Sequence, residues 1–473
     1  MIWCNFLHIY QPAKQTKEIF DRVVSESYWP LVKSLLDNSK IKLTLNINGA
    51  LTERFAAAGY KELLAGLRKA SENGQIEFTD SAKYHALLPF LPQKEIARQI
   101  KLNRETNQRL IGDSYQPIGF FPPEMAFSPV LTPILEKMGY QWIILDEIAY
   151  NGKLNQLNKT VIYEIPNSKF QVFFRERGPS NLIMSAMVRR EADLKHYLRE
   201  EYGRKEYLIT GMDGETFGHH RPGLQKLLTQ LLTSSEFKHA FISELPPLFP
   251  TREKVRPVVS TWASSEKDIE DKIQFASWDD PQNEIQKLQW ELQKTVLADP
   301  KANRQLLDIG LASDQFFWSS AKPWWSLEEI ELGAWTLKEA LPNKKTNDLY
   351  LQIIAKAFEW QRSGKVRQLL KELKETPRIP FKDKTKDEPW VYDAFLALMR
   401  NKMKAAARKE NFEEAIIWRD AIWKLETKND IFDAIHAVDL LRTKIPNGEI
   451  VDLMDKYKKQ YVHLVSGQPE QRG

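Results

Sequence analysis

Short apolar runs rich in β-branched residues alternate with long amphipathic stretches through the first half of the chain. The runs are IWCNFL (2–7), IKLTLNI (41–47), GQIEFT (74–79), PIGFF (117–121), QWIILDE (141–147), YLITGM (207–212) and VRPVVST (255–261). Strand-length runs separated by helix-length amphipathic segments predict βαβα crossovers and a parallel sheet. His8, Asn48, Asp80, Glu124, Asp146, Asp213 and Trp262 lie at or just past the C-terminal ends of these runs. In an α/β barrel those ends share one face, which is where chemistry is done.

From about residue 345 the pattern becomes helical with lysine-rich faces, and the polar stretch TPRIPFKDKTKDEPW (376–390) interrupts it as a linker would. Residues 398–426 then read as two helices forming an antiparallel hairpin, the second opened by an Asn411-x-x-Glu414 cap. The tail VSGQPEQRG (465–473) is expected to be disordered.

With 473 residues the chain exceeds what one core usually serves, so a large domain with smaller additions is expected. The 68 basic and 63 acidic residues leave a net charge of +5 with no long basic block, which gives no indication of nucleic-acid binding. Cys4 is the single cysteine; it can form neither an intramolecular disulfide nor a thiolate cluster, and it fits a cytoplasmic location. No export signal or membrane-length apolar run is read, so no membrane partner is expected.

Two stretches concentrate ionisable groups. TGMDGETFGHH (210–220) places Asp213, Glu215, His219 and His220 just after an apolar run; its plainest reading is a polar strand-end loop with an Asx-turn at Asp213. GFFPPEMAFSPVL (119–131) holds Glu124 after two prolines that restrict the backbone and so aim the carboxylate, although Pro-Pro-Glu also suits a first helical turn. Two carboxylates from different strand ends, with histidines and aromatics nearby, suit glycoside cleavage. Trp262, Trp278, Trp318, Trp324 and Trp325 fall close together in sequence, and their rings can either stack on sugars or fill a core.

These residues resemble glycoside hydrolase family 57, whose members act on α-glucans and combine an incomplete (β/α)7 barrel with a helical region. Five stretches carry the resemblance in order: HIYQP (8–12), GQIEFTDSAKYHALLP (74–89), GFFPPEMAF (119–127), TGMDGETFGHH (210–220) and LASDQFFWSS (311–320). SWDDPQNEIQKLQWEL (277–292) and AKPWWSLEEIELGAW (321–335) are also similar to this family.

The resemblance implies an α/β fold with a catalytic barrel over residues 1–300 and a helical region over 301–380 that contributes to the active site. Residues 381–473 then form a C-terminal helical hairpin and tail. It further implies Glu124 as nucleophile and Asp213 as acid/base of a retaining mechanism, about 5–5.5 Å apart, with the charge on Glu124 holding the proton on Asp213. His8, Tyr10, Gln11, Glu77, His85, Glu215, His219, Trp262, Asp314 and Trp318 are then expected around an α-glucan or maltooligosaccharide.

Two positions depart from the family pattern. Tyr10 stands where it has histidine, and Phe317 with Trp318 beside it stands where it has tryptophan after the acid of the fifth motif. Both bear on the donor-sugar pocket.

No metal or cofactor is expected, since no His-x-His or His-x-x-x-His pair is present and Tyr10 removes the nearest approach to one. Hydrolysis of the amylase or amylopullulanase kind stands beside 4-α-glucanotransferase or branching activity. A silent glucan-binding or regulatory protein and a metal-dependent deacetylase on a related barrel are the readings from other classes.

The C-terminal hairpin resembles the UVR motif through Met403, Ala406, Ala407, Phe412, Ala415, Arg419 and Asp420. That implies contact with a protein partner or a second copy, against a plain hairpin that caps the barrel.

Overall fold

The computed structural model describes residues 1–369 apart from 186–187, 189–190, 199–201, 222 and 323, together with 389–427, 452–453 and 456–458. The chain divides into two compact units: Met1–His220 with Gln225–Val366, and Arg221–Leu224 with Arg367–Gly473.

The strands of the first unit are β1 (Ile2–Ile9), β2 (Leu43–Ile47), β3 (Ile76–Asp80), β4 (Gly119–Phe120), β5 (Trp142–Asp146), β6 (Ile162–Glu164), β7 (Gln171–Arg175), β8 (Tyr207–Asp213), β9 (Lys238–His239) and β10 (Arg252–Lys254). Among the described residues they make one sheet, ordered β10-β6-β7-β5-β4-β3-β2-β1-β8, with β9 on the start of β1. All pairings are parallel except β6 with β7. From β7 to β8 this path holds seven parallel strands. Its two ends meet at a seam where Glu176 N–H donates to the Ile209 carbonyl at 2.8 Å and Arg175 Nη1 donates to the Gly211 carbonyl at 2.8 Å. The result is the incomplete seven-stranded barrel the sequence predicts.

Inside it Cys4 and Phe6 of β1, Trp142 and Ile144 of β5, Phe173 of β7 and Ile209 of β8 pack into one buried cluster. Gly119 opens β4 because a side chain there has no room. A Cβ at that position would sit 2.1 Å from the Trp142 ring.

VRPVVST does not form the expected strand. Pro257 cannot donate to a ladder, and only Ser260 pairs, in an isolated antiparallel bridge with Phe127. β6, β7, β9 and β10 provide sheet that the apolar runs do not announce. Helices Glu284–Ala298, Arg304–Gly310, Leu327–Ala340 and Lys344–Arg362 follow the barrel within the same unit.

In the second unit the expected hairpin is present as helices Pro389–Arg408 and Phe412–Thr427. Val391, Phe395, Leu398 and Met399 pack on Trp418, Ala421 and Ile422. Asn411 caps the second helix, its Oδ1 accepting from Glu414 N–H at 3.2 Å. The tail 465–473 and most of the linker 376–390 lie outside the described residues.

Candidate active site

Strand register places His8, Asn46, Thr79 and Asp213 in one layer at the C-terminal ends of β1, β2, β3 and β8. Glu124 follows β4 in a short turn of left-handed backbone, with φ of 61° at Glu124 and 47° at Met125. Such conformations cost about 1–3 kcal/mol each and persist where the surroundings fix them. Here the isolated bridge Phe127–Ser260 fixes the turn, along with the bond from Trp262 N–H to the Glu124 carbonyl at 3.1 Å.

The Glu124 carboxylate, 17% exposed, receives Trp262 Nε1 at 2.8 Å on Oε2 and Ser313 Oγ at 3.3 Å on Oε1. His85 Nδ1 lies 3.7 Å from Oε1. Burial, followed by the like charges of Asp213 and Asp314, pushes Glu124 up to about 8. Asp213 is raised to about 6 by burial, with the Arg175 guanidinium pulling it back. Both acids are thus raised by burial and coupled through their charges, with the Arg175 guanidinium favouring the ionised form of Asp213.

Tyr10 joins three parts of the site. Its hydroxyl donates to Asp314 Oδ2 at 2.6 Å, its ring stacks on His85 with centroids 4.2 Å apart, and its backbone N–H donates to Glu215 Oε1 at 3.0 Å. Glu215, pushed up to about 8 by burial and by Asp213, also accepts from the Tyr28 hydroxyl. Tyr28 in turn has Gln11 as a hydrogen-bonding neighbour. Asp314 is raised to about 6 by burial.

His8, Tyr10, His85, Glu124, Glu215, Trp262 and Asp314 are thus joined by direct contacts, with Gln11 reached through Tyr28 and Asp213 coupled by its charge. Trp318 extends the Asp314 helix by one residue and packs edge-on against Phe317 and Trp324. Trp278 is buried and stacks on Phe317, so it belongs to the core.

Two expected members are engaged with other partners. Glu77 lies two residues before Thr79 on β3, about 6.6 Å nearer the strand N-termini. Its carboxylate is occupied by the Thr44 hydroxyl at 2.9 Å, the Ile242 N–H at 3.1 Å and the Ser243 N–H at 3.3 Å. It holds the Ile242–Ser243 segment against β2 and β3. His219 pairs through Nδ1 with Glu26 at 2.7 Å.

The sequence reading does not single out Asn46, Tyr28, Arg175 and Ser313. The apolar run QVFFR ending on arginine and the serine preceding Asp314 are the signals that could have found two of them. Among the described residues no three His, Cys, Asp or Glu side chains are grouped to hold a metal ion, and no helix is long and apolar enough to cross a membrane.

The sequence profile of Glycosyl hydrolase family 57 matches residues 4–253, and that of the UvrB/uvrC motif matches 393–428. An alpha-amylase of Pyrococcus horikoshii is 24% identical over 241 residues, 49% of this chain and 37% of that protein. The chain thus spans little more than a third of that relative's length. A GH57 branching enzyme of Thermococcus kodakaraensis superposes with a TM-score of 0.58 at 15% identity, covering 79% of this chain and 94% of the other. A 4-alpha-glucanotransferase of Thermococcus litoralis gives 0.56 at 17% identity, covering 73% and 59%.

Proposed function

The chain belongs to glycosyl hydrolase family 57, and on that premise we propose that it cleaves α-glucans by a retaining mechanism, with Glu124 as nucleophile and Asp213 as acid/base. The observation that carries this reading is the pair itself: two charge-coupled carboxylates at the ends of β4 and β8, both raised into the neutral range. Asp213 donates its proton to the glycosidic oxygen while ionised Glu124 attacks the anomeric carbon. Asp213 then activates water for hydrolysis. The productive form has its single proton on Asp213 and the charge on Glu124.

Tyr10 and Asp314 are proposed to face the donor sugar, with His8, Gln11, His85 and Glu215 behind them and Trp262 and Trp318 as aromatic walls. Tyr10→Phe removes the bond to Asp314 and should weaken substrate binding by about 0.5–1.5 kcal/mol.

Products from maltoheptaose, starch and pullulan test the reading. Short products alone mean amylase or amylopullulanase-type hydrolysis, and panose or maltotriose from pullulan identifies the bond cut. Longer or branched products mean transfer to a sugar hydroxyl, the 4-α-glucanotransferase or branching alternative. No products, with glucan still bound, leaves the non-catalytic alternative. The single cysteine, buried and unpaired, fits a cytoplasmic setting.

For the hairpin, Phe412, Ile416 and Ile417 are exposed on its second helix, which supports contact with a protein partner or a second copy. Glucan activity retained after deletion of residues 391–473 would agree with that role. Loss of folding would favour the hairpin as a cap.

A further inference from the structure

The hydrogen bonds behind Glu124 run in single file, and their directions can be deduced one from the next. Asn46 Nδ2 donates to the Thr79 carbonyl at 3.2 Å and the Thr79 hydroxyl at 3.0 Å, which fixes the amide's orientation. Asn46 Oδ1 is then the acceptor 2.8 Å from His8 Nδ1, so that nitrogen bears a hydrogen. Burial lowers His8 to about 4, and burial with His8 beside it lowers His85 well below the usual imidazole range.

Both rings are therefore neutral with one N–H each. His8 Nε2 is left as an acceptor, and His85 Nε2 at 3.1 Å must donate to it. His85 Nδ1 is in turn an acceptor, 3.0 Å from Ser313 Oγ. Ser313 also reaches Glu124 Oε1 at 3.3 Å. One hydroxyl proton faces two acceptors.

We propose that Ser313 is the positioning residue of the nucleophile. Its hydroxyl turns to Glu124 when that carboxylate is ionised and to His85 when it is protonated, so that the file Asn46–His8–His85–Ser313 sets how readily Glu124 takes its charge. This rests on Glu124 being the nucleophile.

In the protonated state the Glu124 O–H donates to Ser313 Oγ and Ser313 donates to His85 Nδ1, and every group in the file is paired. In the ionised state Ser313 donates to Oε1, and His85 Nδ1 is left without that donor. No bond to hydrogen breaks within the file. The proton that Glu124 releases leaves by way of solvent or Asp213, while Ser313 only rotates. An unpaired buried acceptor is costly, so His85 draws the hydroxyl back and limits a bond through which Ser313 on balance favours the Glu124 ion.

The other groups facing the carboxylate are Trp262, which favours the charge, Asp213 and Asp314, which oppose it, and the neutral His85. Backbone contacts hold the geometry. Ser313 N–H donates to the His85 carbonyl at 3.1 Å, and Ala86 and Ala312 form an isolated antiparallel bridge beside it.

Difference infrared titration of the Glu124 carboxyl, assigned with Glu124→Gln, tests this without substrate. Ser313→Ala should move the titration up by about one pH unit or more. The alkaline limb of kcat/KM should move with it, and the peak should fall about tenfold, KM changing little. Ser313→Thr should restore all three.

An unmoved titration in Ser313→Ala, or a folded threonine variant that restores nothing, overturns the proposal. Should the alanine variant fail to fold, His85→Phe decides. Removing the competing acceptor leaves Ser313 committed to Glu124, so the titration must move down; an upward or absent shift overturns the proposal. An inactive protein whose infrared titration behaves as described refutes the glycosidase reading and with it the nucleophile's role for Glu124, while control of the Glu124 charge by Ser313 stands.

Discussion

Asp146 at the end of β5 and Glu124 just past the end of β4 are neighbours in one sheet with opposite surroundings. Asp146 is buried and receives Arg175 Nε at 2.8 Å, Arg177 Nη2 at 2.7 Å and the Ile148 N–H at 3.1 Å. Asp80, closing β3, resembles it, with Asn103 Nδ2 at 2.6 Å, Arg104 Nε at 3.1 Å and the Tyr140 hydroxyl as donors. Glu124 has two uncharged donors and faces further carboxylates. An acid at a strand end is therefore not in itself a sign of chemistry. Saturation by donors and guanidinium groups makes it a brace, and a scarcity of them leaves it poised to change protonation.

The sharpest way to break that contrast is Glu124→Gln, which should lower turnover by roughly 10⁴-fold or more while substrate still binds. Wild-type turnover in that variant would remove Glu124 from the mechanism. Asp213→Asn should slow natural glucans by about 10²–10⁴-fold and aryl glycosides with good leaving groups far less. Equal losses on both would mean that Asp213 does not protonate the leaving oxygen.

Asp146→Ala should do the reverse. Two guanidinium groups lose their buried partner, so a loss of about 3–5 kcal/mol in thermal or denaturant unfolding is expected, with the activity of the remaining folded protein changed much less. A stable but inactive Asp146→Ala would erase the distinction drawn here.

The pH profile sharpens the comparison further. One proton shared by Glu124 and Asp213 gives a bell in kcat/KM with limbs at about 6 and about 8. Stability has a definite sign as well. The folded state keeps the Glu124 proton to about 8, whereas the unfolded chain releases it near its ordinary 4.5. The folded state thus binds more protons across that window. The stabilisation is full below about 4.5, is lost as pH rises, and is gone above about 8. Unfolding scans should show this decline in the wild type and a flatter one in Glu124→Gln.

The smallest effect is expected from Glu77→Gln. Its role is to accept from Thr44 and two backbone amides, so activity should stay within about twofold and stability should fall by about 1 kcal/mol. A large rise in KM would return Glu77 to the sugar site.

Much of this was legible in the chain because apolar runs mark buried strands and two prolines announce where Glu124 is held. Six of the seven runs became strands of the sheet, and the acids of the third, fourth and fifth motifs came together around Tyr10 and Trp262. Roles that depend on partners distant in sequence were not legible. Nothing local to Glu77 shows that Ile242 and Ser243 will occupy it, and nothing local to Asp146 shows two arginines arriving from residues 175 and 177. The pull of Arg175 on Asp213 arises because that arginine reaches Gly211 of β8 across the barrel seam. VRPVVST misled because composition alone cannot distinguish a proline-broken edge from a paired strand.

The bond from Tyr10 to Asp314 spans 304 residues, and β1 needs β8, some two hundred residues later, as its neighbour. During synthesis at about 5–20 residues per second, roughly 15–60 s separate the emergence of these two side chains from the ribosome. The first strand therefore waits, apolar and half-paired, until some two hundred further residues have been made. A nascent chain arrested before residue 313 carries both proposed catalytic acids yet lacks Ser313 and Asp314, so the proposed site is completed only when that segment docks.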